Sequence, residues 1–188
     1  MAKIYSLGQA EIDLILSTLN TLRDDVSSGS FATIGFSYAA RMVALIWDDE
    51  LAAQAGNKAR TCEYSFDACR NTAKYPSVGQ VVAMYTPTDP SDKAGSLTNF
   101  LKNRPLKGDV QTAALDDWGN VLSDKAVAIG CAVEQFTESG SIRHLIVCNI
   151  SAATTVGQRI YRKGTGGDLC TTGFDSEYNT LCSPNEPI

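Results

Sequence analysis

Two runs of alternating residues constrain this chain more than any other feature. Val127, Ile129, Cys131 and Val133 take every second position of the first run, and Ile142, His144, Ile146 and Cys148 do so in the second. Such alternation marks strands, and Ser139-Gly140 between them suits a two-residue turn. That turn sets Glu138 opposite Ser141, and the same register sets Cys131 directly opposite Cys148. Directly paired strand residues have Cα atoms roughly 4.5–5.5 Å apart, within the reach of a disulfide. Closing a loop of this size contributes on the order of 3 kcal/mol, mainly by restricting the unfolded chain.

The other cysteines extend this reading. There are six in all, at positions 62, 69, 131, 148, 170 and 182. An even number at these spacings favours three bridges and an oxidising compartment. A zinc site would need C-x-x-C pairs or clustered histidines, and the sequence has neither. Cys170 and Cys182 bracket a short loop in a polar, glycine-rich tail over about residues 150–188, and a bridge between them would pin it. The opening Met1-Ala2-Lys3 lacks the apolar stretch of a signal peptide, as expected of a mature chain given a new start codon.

The 188 residues suit one domain with one sizeable core. With 44% hydrophobic and 20% charged residues, disorder is not expected. A net charge of -5 with scattered cations (Lys102, Arg104 and Lys107 are the nearest to a group) argues against a nucleic-acid partner. No apolar run approaches the 18 or so residues of a membrane helix, so no membrane insertion is expected.

Ile12, Ile15, Leu19, Leu22 and Val26 recur at steps of three and four, predicting an amphipathic helix from about Leu7 to Val26. A second helix should start at Asp48 or Asp49, either of which can cap exposed amides, and run towards Cys62. Ser91 or Asp92 should cap a third through Leu97, Phe100 and Leu101, with Arg104-Pro105 stopping it. A short fourth is expected over Val110 to Leu122, weakened by Gly119.

Several segments, in register over nearly the whole chain, resemble the CAP superfamily of secreted cysteine-rich proteins, and in particular the antigen 5-like proteins of insect venom and saliva. They are Leu19-Asn20-Thr21-Leu22-Arg23, Trp47 to Ala52, Cys62 to Asn71, Val78-Gly79-Gln80, Asp117 to Lys125 leading to Gly130-Cys131, and Cys148-Asn149-Ile150-Ser151. The resemblance implies an α+β fold: a three-layer α-β-α sandwich with a central antiparallel sheet, stabilised by disulfides. It also locates four cavity positions, which in the family hold two histidines and two acidic residues. Here they are Phe66, Gln80, Asn103 and Asp117, so metal binding at that place is not expected and no cofactor is implied. In longer antigen 5 relatives the positions of Cys62 and Cys69 bridge to an N-terminal extension that is absent here. The two are therefore expected to bridge each other around Phe66.

His144 is the sole histidine, and its place in mid-strand favours a structural role over a Ser-His-Asp triad. Asp67 and Asp117 could form a carboxylate pair, although helix capping or surface exposure explains them as well. No catalytic set emerges. Lys107-Gly108-Asp109 resembles integrin-recognition loops, which present a basic and an acidic side chain from a tight turn. Asn149-Ile150-Ser151 is a glycosylation sequon at a strand end.

The resemblance implies a secreted, extracellular and non-enzymatic binding protein that modulates host inflammation, immunity or haemostasis. The implied partner is a host protein, or a small hydrophobic ligand held in an apolar channel lined by the first and third helices. Integrin binding through Lys107, Gly108 and Asp109 is a further alternative. The sequence does not fix the oligomeric state.

Overall fold

The strand pair is the centre of the computed structural model, which describes residues 3–5, 7–103 and 105–187. For reference, the regular elements run in chain order: β1 Lys3–Tyr5, α1 Gln9–Ser27, β2 Ile46–Trp47, α2 Asp49–Ala59, β3 Gly79–Tyr85, α3 Lys93–Lys102, β4 Ala128–Glu138 and β5 Ser141–Ile150. Ser139 and Gly140 both take positive φ, 49° and 80°, the twist a two-residue hairpin needs. β4 and β5 pair as the alternation predicts, with Glu138 opposite Ser141 and Cys131 opposite Cys148. The two cysteines are bonded, their Cα atoms 4.1 Å apart.

β3 pairs antiparallel with the far edge of β5, and β1 antiparallel with β4. The sheet departs from the expected antiparallel pattern at β2, which runs parallel to β4 beside Ala128 and Ile129. This short strand leads directly into α2, which fixes its direction.

Successive strand residues face opposite sides of a sheet, and the two sides carry different helices. Ile129, Cys131, Val133, Ile146 and Cys148 pack against Ile15 and Leu19 of α1 and Leu97, Phe100 and Leu101 of α3. Val82, Ala132, Leu145 and Val147 pack against Ala55 and Ala59 of α2. The result is the three-layer α-β-α sandwich. α2 lies unusually close to the sheet at Gly130, where a Cβ would stand 2.1 Å from the Ala52 nitrogen and 2.6 Å from the Asp48 carbonyl oxygen.

The helix starts follow from their caps. Asp48 accepts from the amides of Glu50 and Leu51 at 3.0 Å each, and Asp92 accepts from Gly95 at 2.7 Å. α3 ends at Lys102, before Arg104, which lies outside the described residues together with its expected stop. The fourth helix is absent, replaced by an irregular loop with one 3₁₀ turn at Trp118–Asn120. There the Gln111 amide bonds Gln158, and Asp117 caps Gly119, so the backbone is committed to other partners. Among the described residues no helix is long and apolar enough to cross a membrane.

One buried side chain ties three segments together. Arg23 is fully buried in α1, and its five N–H groups reach four carbonyls: Val43, Val121, Ser123 and Ala126. Burial lowers its pKa from 12.5 to about 9, so it stays charged at neutral pH.

The stretch after β5 has no regular element yet is firmly placed. Cys170 and Cys182 are bonded, and the Cys182 amide and carbonyl pair with Met42 and Ala44. The Glu186 carboxylate accepts from the amides and hydroxyls of Thr171 and Thr172, and Arg41 stands 3.3 Å away. Burial alone would raise its pKa, but these donors outweigh it and hold it at about 2 against an ordinary 4.5.

Two outcomes are expected. Arg23→Met strands the buried carbonyls of Val43, Val121 and Ala126, leaves Ser123 with only the Ala126 amide, and should cost roughly 3–5 kcal/mol in urea denaturation. Arg23→Lys should recover little of it, because one ammonium cannot span all four. Glu186 has a depressed folded pKa, so its contribution is complete above pH 4.5 and is lost as pH falls towards about 2. Thermal unfolding across that window should show an acid limb that flattens in Glu186→Gln.

Candidate functional site

The four cavity positions fall on four separate local structures. Gln80 is the second residue of β3 and faces α2, 1% exposed. It stands in a row across the sheet with Asn149 and Gly130. Its Nε2 donates to Asn149 Oδ1 at 2.8 Å, while Asn149 Nδ2 donates to the Leu51 carbonyl at 3.3 Å. Gln80 Oε1 accepts from the Asp67 amide at 2.8 Å, which anchors the loop after α2 to the sheet. An amide suits this position because it must both donate and accept.

Asp117 is equally committed. It is 3% exposed, and its carboxylate accepts from the Gly119 amide at 2.9 Å, the Thr112 amide at 2.6 Å and the Thr112 hydroxyl. Asp67 instead accepts from the Cys69 amide, so the two aspartates serve separate loops. Phe66 is 40% exposed and lies under the Arg70 guanidinium, 5.8 Å from its ring centre. It lines an open groove of about 470 Å³ with Gln54, Lys58, Glu63 and Cys69. Asn103 follows α3 and lines a different cleft of about 160 Å³ with Tyr64 and Trp118. Among the described residues, no group of three or more His, Cys, Asp or Glu side chains could hold a metal ion.

The expected Cys62–Cys69 bridge is not formed, and both residues are free thiols. Cys62 closes the end of α2 with φ at 56°, packs against the cluster under that helix and directs its thiol to the Arg60 carbonyl. Cys69 is exposed on the loop that Asp67 and Arg70 hold to β3. The two sulfurs therefore face different surroundings. Burial and the nearby Glu134 push the Cys62 thiol up, which opposes thiolate formation and nucleophilic use. Glu134 is itself 1% exposed, its Oε2 has no partner among the described residues, and burial raises its pKa.

The structure bears on two further expectations. Asn149 is fully buried and its amide is spent on Gln80 and Leu51, so the folded chain offers no acceptor for a glycan. The Lys107-Gly108-Asp109 turn exists, with Gly108 at φ 95°, but both charges are engaged. Lys107 pairs with Asp116 at 2.9 Å, and Asp109 with Arg159 at 2.8 Å and Lys163 at 3.2 Å. The Asp109 side chain is only 14% exposed, unlike one free to meet a receptor's cation.

His144 is buried between Ser96, at 2.8 Å from Nδ1, and the Pro90 carbonyl, at 3.0 Å from Nε2. A carbonyl only accepts, so Nε2–H donates to Pro90, while Nδ1 shares a hydrogen bond with the Ser96 hydroxyl. It anchors α3 to β5. Sequence reasoning missed Arg23 as a structural centre, although it shares the apolar face of α1, four residues after Leu19 and three before Val26. The Gln80–Asn149 link had no sequence signal, because it depends on the pairing of β3 with β5.

Geometry alone defines a class: a disulfide-stapled α-β-α sandwich whose central polar positions serve as structural hydrogen-bonding groups. Comparison with known proteins names it more closely. The cysteine-rich secretory protein (CAP) family matches residues 16–150, and this chain belongs to that family. It is 32% identical to Venom allergen-1 of Aedes aegypti over 191 residues, covering 94% of this chain and 73% of the relative. It is 33% identical to Tabinhibitin 6 of Tabanus yao over 195 residues, with the same 94% and 73% coverage. Among solved structures it is similar to NaASP2 with Zn²⁺, at a TM-score of 0.71 and 23% identity, covering 94% of this chain and 97% of that one. At that identity the likeness speaks for the fold.

If Gln80 is structural, restoring an acid there should harm the protein. Gln80→Glu removes the donor to Asn149 Oδ1 and should destabilise by about 1–3 kcal/mol. The loss should grow as pH rises through the range where the new carboxyl ionises. A variant as stable as the parent at neutral pH would contradict this role.

Proposed function

We propose that this protein is a secreted, non-enzymatic binding protein of the kind found in insect saliva and venom, acting on a host protein through its outer surface. The observation that carries the reading is likeness of 32–33% over 94% of the chain to Venom allergen-1 and Tabinhibitin 6. The disulfides fit an extracellular protein. The structural use of Gln80 and Asp117 supports a function without chemistry at the family's cavity.

The carrier alternative finds no such support. Leu97, Phe100 and Leu101 of α3 are 1–3% exposed and packed with Ile15 and Leu19, and the Phe100 ring lies 4.7 Å from Trp118. The space between the helices is core. Integrin recognition through Asp109 is likewise disfavoured by its two ion pairs.

The test combines two measurements on protein secreted from insect cells. Organic extraction with mass spectrometry should find no lipid at stoichiometric amount. Surface plasmon resonance against purified host plasma and leukocyte-surface proteins should find a saturable partner, with affinity unchanged by Asp109→Ala. A stoichiometric lipid without any protein partner would overturn the reading in favour of a carrier. Loss of binding in Asp109→Ala would restore the integrin-like turn.

A further inference from the structure

Many lysines and arginines of this chain have a carboxylate neighbour. Lys58, Lys74, Lys93, Lys107, Arg143, Arg159 and Lys163 all stand within 4.0 Å of a carboxylate. Lys125 and Arg162 differ. Neither side chain has an ion pair or hydrogen bond among the described residues, and both are exposed. They meet at one cleft of about 330 Å³, lined by Arg41, Asp124, Lys125, Arg162 and Leu169.

We propose that this cleft binds a small phosphate-bearing ligand. Arg41, Lys125 and Arg162 line it with Asp124, and since Arg41 is already paired with Glu186, the excess positive charge comes from Lys125 and Arg162, on a chain of net charge -5. Asp124 accepts from the Arg162 amide at 2.8 Å, and no carboxylate among the described residues is paired with the Lys125 or Arg162 side chain. Arg41 is held in place from behind by Glu186 at 3.3 Å and by the Pro187 carbonyl. It offers a fixed guanidinium, the group whose planar fork matches phosphate oxygens. A phosphate ester carries about -1.5 to -2 at neutral pH, which answers the charge excess. Leu169, 41% exposed, gives an apolar wall for the organic part. The volume lies at the small end of ligand cavities, roughly 300–1,000 Å³. This inference is independent of the host-protein reading above, because the cleft could be occupied whether or not a protein is bound.

The probe is inorganic pyrophosphate, titrated calorimetrically at low ionic strength beside inorganic sulfate. One-site saturable binding is expected, tighter for pyrophosphate than for sulfate. Lys125→Gln and Arg162→Gln should each weaken it about tenfold. Both positions are exposed, so unchanged thermal unfolding should accompany the loss. Lys102→Gln, which removes the same charge at the end of α3, should leave binding intact. Absence of saturable binding would overturn the proposal. So would equal weakening by Lys102→Gln, which would assign the effect to net charge, or tighter binding of sulfate.

Discussion

A guanidinium with no carboxylate in contact among the described residues holds this fold together. Arg23 spends all five N–H groups on backbone carbonyls from the segment before β2 and the loop before β4. Those segments carry loop carbonyls that no sheet or helix satisfies, and a buried carbonyl without a donor is costly. A single side chain of fixed planar geometry answers four of them. It thereby sets how α1 sits against the start of β2 and the start of β4, and the sheet edge follows from both.

The central polar positions show the same economy of use. Gln80 joins β3, β5, α2 through Asn149, and the loop bearing Asp67, with one side-chain amide. Asp117 fastens the loop that replaces a helix. In both places polarity is retained and reactivity is not, since neither group faces an open cavity or a second titratable partner. His144 follows this pattern, its two nitrogens bonded to α3 and to the turn before it.

The sequence made much of this visible where the determinants are local. Alternation fixed the β4–β5 register, and Asp48 and Asp92 marked the starts of α2 and α3. β3 was missed because Val81 and Val82 are both fully buried, so its run does not alternate. The segment 110–122 has helical composition, but long-range hydrogen bonds to Gln158 and the Asp117 cap override local preference. Cys62 and Cys69 could be counted but not oriented, since their directions depend on where α2 ends and where Asp67 is tethered. The sequon at Asn149 and the turn at Asp109 were legible as letters. Their burial and ion pairs are properties of tertiary structure alone.

The strand-like pairing of Cys182 with Met42 and Ala44 has a consequence in time. The cluster around Leu22, Phe36, Met42 and Tyr161 also contains Leu181, so its members are drawn from nearly the whole length of the chain. During synthesis the early residues of that cluster leave the ribosome long before residue 181 is added, and domains generally close as units. Until then Met42 lacks a partner for its carbonyl and the cluster remains open to solvent. Folding is therefore committed late, and the interval before closure is when the nascent chain is most exposed to wrong disulfides and to aggregation.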